Sequence, residues 1–262
     1  MSPTLEAPGR TPRKPALDRN TAKRLMTTEY QRVLDQLGSL SREQWRADTC
    51  NLGWDVRELA AHMLGMVAMA SSLREQMRQT RAAKKRGGEF IDALTAVQVD
   101  AYDGWSPEQI VAEYERLAPK AVRFRTRMPG LMRTRPMPSP QPINPPQEYE
   151  TWTFGYLVDV ILTRDQWMHR TDIAAATGHE MTLTREHDGA IVDDVAHEWA
   201  QRHGRPVRLA LTGTLERLQV FGPTAHASPD DHPSYTLDAV EFCRMLSGRG
   251  SGHGLLQTRV PF

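Results

Sequence analysis

Apolar residues recur along the first two thirds of this chain at spacings of three and four, the repeat of a helix with one face turned to a core. Leu25, Met26, Tyr30, Val33, Leu34 and Leu37 predict a helix over residues 21–37, closed by Gly38-Ser39. Residues 41–45 predict a short helical turn, with Ser41 as its cap and Gln44 three positions on. A loop is expected at Cys50-Asn51-Leu52-Gly53-Trp54, followed by a second long helix over residues 55–80. Residues 84–88 read as an exposed turn, and residues 90–101 fit a short helix. Ser106-Pro107-Glu108 is a helix start, serine as cap and proline in the first turn, of a third long helix reaching residue 127. A fourth spans residues 153–176 and stops at Gly178.

Between the third and fourth helices, Pro129, Pro136, Pro138, Pro140, Pro142, Pro145 and Pro146 exclude a regular element and predict a long loop over residues 128–147. A loop of that length is either a functional lid or a tolerated surface insertion. The period changes after Gly178. One more helix fits residues 186–202; then Val207 to Leu211 and Leu215 to Val220 alternate with period two around Thr212-Gly213-Thr214, a hairpin signature. A helix over 238–246 and a last strand over 255–260 complete the pattern. The fold class expected is α+β: a disordered extension over 1–19, a four-helix bundle over 20–178 and a small α+β domain over 180–262.

Composition narrows the function classes. The chain has 262 residues, 39% of them hydrophobic, and a net charge of +1, so no one-signed field points to nucleic acid or a membrane surface. No apolar run approaches the roughly 20 residues that span a bilayer, and the proline- and charge-rich start has no apolar signal core. A cytoplasmic protein is expected. Cys50 and Cys243 make neither a disulfide framework nor a cysteine zinc site, and each reads as a small buried hydrophobe. Of the 33 lysines and arginines only five are lysine, a skew that fits a GC-rich source such as an actinobacterium. Phosphate-binding and serine-hydrolase motifs are absent.

Against this background three residues stand out. Asp165 and His169 are four apart on the fourth helix, on a face otherwise made by Val158, Ile161, Leu162, Ile173 and Ala176. His62 lies between Leu59 and Met66 on the apolar face of the second helix. A carboxylate turned toward a core is unfavourable unless something pairs with it. Two imidazoles and a carboxylate around one divalent cation would provide that pairing, and three protein ligands with an open fourth position is the pattern of catalytic zinc. The competing reading is two core histidines satisfied by backbone carbonyls or by Asp165 itself. Trp54 and Trp167 read as core or pocket wall, and His179, His187, His197, His203, His226, His232 and His253 as surface residues.

The stretch carrying Thr49, Cys50, Trp54, Val56, Leu59, His62 and Gly65 resembles the first signature of the mycothiol-dependent maleylpyruvate isomerase family, within the DinB-like metal-binding four-helix bundles. The spacing of Asp165, His169, Asp172, Ile173 and Ala174 resembles its second, and Phe242-Cys243-Arg244-Met245-Leu246-Ser247-Gly248-Arg249 resembles the end of its smaller C-terminal domain. The resemblance implies that His62, Asp165 and His169 bind zinc or another divalent metal. It also implies that mycothiol is the thiol cosubstrate and that a metal-held thiolate attacks a small electrophile, giving isomerisation or S-transfer. The family carboxylate is usually glutamate; Asp165 is one methylene shorter, so either the metal is expected nearer the helix or the helix is expected to shift. Arg249 is the candidate for holding an acidic substrate, against the plainer reading of a helix-end cation. Asp172 is expected to be either solvated or a partner orienting His62. The alternatives are a non-catalytic protein holding a small ligand or partner in the same cleft, and a zinc hydrolase using metal-bound water. Neither a nucleic-acid nor a membrane partner is expected, and the pattern leaves oligomeric state open.

Overall fold

A computed structural model describes residues 11–144, 148–222 and 233–262. The expectations for residues 1–10, Pro145, Pro146, His226 and His232 lie outside them. The chain divides into two compact units that interleave in sequence. One, a helical unit, comprises Asp18–Arg133 and Val158–Thr182; the other, a sheet unit, comprises the described part of Met1–Leu17 with Thr134–Leu157 and Leu183–Phe262. A single cut near residue 179 therefore does not separate them. From Thr134 onward the proline-rich segment groups with the C-terminal sheet unit, and its backbone bonds are made to residues 148–154: the Met137 N–H donates to the Trp152 carbonyl and the Phe154 N–H to the Arg135 carbonyl. Arg13 shares that attachment: its N–H donates to the Thr151 carbonyl and its own carbonyl accepts from Thr153, so the expected disordered extension is pinned at this residue.

In the helical unit, α1 (Arg19–Ser39) packs on α5 (Pro107–Arg127) and α8 (Leu162–Thr177), and α2 (Val56–Met69) packs on α5 and α8. These are the four predicted bundle helices. Their starts follow the sequence signals. Asp55 and Glu58 form a reciprocal capping box on α2, and Ser106 and Gln109 form one on α5. The second helix differs from expectation. It ends at Met69, and Ser72 accepts the Glu75 N–H to cap a separate α3 (Leu73–Arg86). That helix pairs with α4 (Phe90–Asp100) as a hairpin laid against α2.

Gly65 on α2 explains how closely that hairpin approaches. A Cβ there would lie 2.5 Å from the Cβ of Gln98 on α4. The Gly65 carbonyl accepts from Gln79 of α3 at 3.0 Å, and Gln98 donates to Gln79 at 2.9 Å, so a buried pair of amides locks α3 and α4 to this one turn of α2.

The proline-rich segment is more regular than a loop. It holds the turn α6 (Gly130–Arg133) and a two-stranded antiparallel ribbon, β1 (Gln141–Asn144) with β2 (Glu148–Glu150). An isolated ribbon has only edges, so Pro142 can sit in it without breaking a central ladder, and the register slips just after it. Thr153 then caps α7 (Phe154–Tyr156), and a π-helical turn over Leu157–Ile161 leads into α8, which ends at Gly178 in the left-handed conformation.

In the sheet unit a π turn (Arg185–Gly189) precedes α9 (Ala190–His203). The predicted hairpin is β3 (Val207–Thr212) with β4 (Arg217–Phe221), and β5 (Ser234–Asp238) joins β3 in parallel on its other side. The helix α10 (Ala239–Ser247) starts on an Asp238 cap. Residues 255–260, expected as a strand, instead begin in a 3-10 turn over Gly254–Gln257. Trp199, Val207, Leu209, Phe242, Cys243 and Leu246 are buried in this unit. Among the described residues no helix is long and apolar enough to cross a membrane.

Candidate metal centre

Asp165 and His169 project from successive turns of α8 and His62 from α2, so the contact between these two helices brings all three together. One ligand atom of each lies within 4.8 Å of the others. The His169 Nε2 is 3.6 Å from Asp165 Oδ1, and the two imidazoles meet edge to face with centroids 5.0 Å apart. His62 and His169 are buried, and Asp165 is slightly more open. Trp54 flanks the cluster, its ring 5.5 Å from that of His62, which makes it a wall of the site. Trp167 is fully buried core.

Asp165 and His169 are held by neighbouring side chains. Gln166 donates to Asp165 Oδ2 at 3.3 Å and accepts from Tyr114 of α5 at 2.6 Å. Burial pushes the Tyr114 hydroxyl well above its ordinary pKa, so it stays a donor. Asp172, expected to be either solvated or a partner of His62, is buried and bonds His169, three residues back on its own helix, at 3.1 Å. Residues three apart on a helix are neighbours, so this partner was within reach from spacing alone. Cys50 also departs from expectation: it is exposed and donates its thiol to the other Asp172 oxygen at 3.2 Å. Cys243 is buried as expected.

The start of α8 is fixed by buried arginines of the same unit. Arg125 Nε donates to the Val158 carbonyl in the π turn at 2.8 Å, and the same guanidinium binds Tyr30 and Thr163. Arg133 pairs with Asp159 in the same turn. One residue beyond His169, Arg170 forms a buried ion pair with Glu29 of α1 at 2.9 Å. Among the described residues Asp165 has no arginine or lysine partner, so the carboxylate of the cluster faces two imidazoles and an amide.

Arg249 belongs to the sheet unit, just past the left-handed Gly248 that ends α10. It donates to Ser247 Oγ at 3.2 Å. With Arg259, Asn144, Ser251 and Gln257 it lines a cavity of about 690 Å³. His187 is buried in the π turn before α9, which corrects its surface reading.

Residues 26–174 match the family model described as the mycothiol maleylpyruvate isomerase N-terminal domain. No curated protein matches the chain. Two solved structures are similar over 90% of this chain and 91% of their own, at 14% identity. They are the mycothiol-dependent maleylpyruvate isomerase, with a TM-score of 0.53, and a histidine-to-alanine mutant of it, with a TM-score of 0.54. At that identity the likeness is one of fold, and it agrees with the α+β class expected here.

Proposed function

This chain belongs to the mycothiol maleylpyruvate isomerase family, and from that premise we propose that it is a metal- and mycothiol-dependent enzyme acting on a small electrophile. His62, Asp165 and His169 would hold the metal, zinc or another divalent ion. The observation that carries this reading is their convergence from two helices, two nitrogens and one oxygen within 4.8 Å of one another. Their spacing suits the ion: ligands at about 2.0–2.1 Å in tetrahedral array are about 3.4 Å apart, and His169 Nε2 and Asp165 Oδ1 are 3.6 Å apart. The shorter aspartate is no obstacle to that approach.

A zinc ion bound there would supply a Lewis acid that keeps a coordinated thiol as thiolate at neutral pH. The chain's own residues supply position. Gln166, held by Tyr114, leaves one Asp165 oxygen turned to His169, and Trp54 walls the side of His62. The thiol sulfur adds to an electrophilic carbon of the substrate. The displaced electron pair moves onto the conjugated carbonyl as an enolate; rotation and return of that pair expel the same thiolate and give an isomer, whereas protonation of the enolate carbon from solvent keeps the C–S bond as an S-conjugate. Arg249 is assigned to holding a substrate carboxylate, supported by its place beside Arg259 on the cavity wall of the sheet unit.

The test is consumption of maleylpyruvate and related unsaturated acids by zinc-loaded protein with and without mycothiol. Turnover that needs mycothiol and disappears in His169→Ala is expected, with Arg249→Met raising KM more than it lowers kcat. Turnover without thiol would favour a zinc hydrolase. Metal binding with no turnover of any electrophile would favour a binding protein.

A further inference from the structure

We infer that Asp172 is a positioning residue of the metal centre, and that with Cys50 it fixes which nitrogen of His169 faces the cluster. The inference rests on the reading of His62, Asp165 and His169 as metal ligands. The Asp172 side chain has no exposed surface. One oxygen lies 3.1 Å from His169 Nδ1 and the other accepts the Cys50 thiol at 3.2 Å. An ionised carboxylate only accepts hydrogen bonds, so the Nδ1 of a neutral His169 carries its proton. The lone pair is thereby left on Nε2, the nitrogen 3.6 Å from Asp165 Oδ1. Holding that tautomer before any metal arrives is what a buried carboxylate behind a ligating histidine achieves.

Cys50 gives the arrangement its direction. It lies in the loop before α2, whereas Asp172 and His169 are on α8. Its thiol ties Asp172 Oδ1 to that loop, so the carboxylate is held at both oxygens. In Asp172→Asn the amide carbonyl can keep the Cys50 donor, which turns the NH2 toward His169 Nδ1. A donor there selects the opposite tautomer, with the proton on Nε2 and no lone pair for a metal.

The experiment is two-bond ¹⁵N–¹H correlation of the His169 ring in metal-free, full-length protein. It is run above the histidine titration range, assigned against His169→Ala, and paired with zinc affinity by chelator competition. Wild type should show the proton on Nδ1. Asp172→Asn should move it to Nε2 and weaken zinc binding by about 10–100-fold, while Cys50→Ser, which keeps a donor, should retain the wild-type tautomer. A wild-type proton on Nε2, or an Asp172→Asn protein with tautomer and affinity both unchanged, overturns the inference. Should Asp172→Asn fail to fold, the wild-type tautomer decides alone. Absence of zinc binding in wild type would defeat the metal reading, whereas the tautomer would still report whether Asp172 positions the ring.

Discussion

Two clusters of buried charge in this molecule are built on opposite principles. In the sheet unit Glu150 and Glu198 share Arg202, at 2.8 and 2.6 Å. Arg13 adds a second cation to Glu150, Trp152 donates to Glu150, and Tyr156 donates to both oxygens of Glu198. Both carboxylates hold Arg202 protonated, its pKa raised although burial opposes the charge. Every strong acceptor there has a cation from the chain itself. In the helical unit Asp165, His62 and His169 bring one nitrogen or oxygen each within 4.8 Å of one another, and among the described residues Asp165 has no arginine or lysine partner. The bundle is able to provide one: Arg170, next to His169, pairs with Glu29. A cluster that brings its own countercharge is complete when the chain folds; on the metal reading proposed above, the Asp165 cluster takes its cation from outside.

The two clusters should therefore respond to different perturbations. Arg202→Ala leaves buried carboxylates without their main cation and should lower stability by about 3–5 kcal/mol. Denaturant unfolding reads this, and zinc content should not change. Zinc should act the other way round. At 100 times its dissociation constant it should raise wild-type stability by about 2.7 kcal/mol, and in His62→Ala it should raise it by nothing measurable in the same titration. Tyr114→Phe breaks the bond that holds Gln166 against Asp165 and should remove about 1 kcal/mol, together with a modest loss of zinc affinity. A closed network elsewhere would show the first loss without the second.

The smallest effect concerns His203, in the sheet unit but outside its ion-pair network. Burial, and then the charge of Arg205, lower its pKa below the ordinary histidine value. Its ring packs on Trp199, with centroids 4.4 Å apart, and its Nδ1 accepts the Arg205 N–H. The unfolded chain thus takes up this proton more readily than the folded one. The stability contribution is complete above about pH 6.5 and declines as pH falls from there through the lowered folded value. His203→Gln should flatten that part of the stability profile measured by denaturation between neutral and mildly acidic pH.

Much of this was legible in the sequence because it was local. Asp55, Ser106, Asp238 and Gly178 mark helix ends by chemistry that needs no tertiary context, and His62, Asp165 and His169 announce themselves as ionisable groups on apolar helix faces. What was missed depended on partners distant in sequence. The second helix is buried almost all round, so periodicity could not reveal that it stops at Met69. The strand β5 lies at a sheet edge with no buried residue, and its alternation of Tyr235 and Leu237 with Ser234, Thr236 and Asp238 is only five residues long, too short to stand out from a loop. Pro142 sits in a strand because that ribbon has no central position to spoil. Cys50 was assigned to the core because the loop before α2 meets α8 only in the folded unit, whereas the bond of Asp172 to His169, three residues back on the same helix, was within reach of the spacing and was overlooked.

The central claim is that the Asp165 cluster is completed by a metal ion. Elemental analysis of purified wild type and His62→Ala, prepared in parallel, tests it most directly. The account predicts about one zinc per chain in wild type and its loss in the variant. No stoichiometric metal in wild type, even after reloading with zinc, would contradict it.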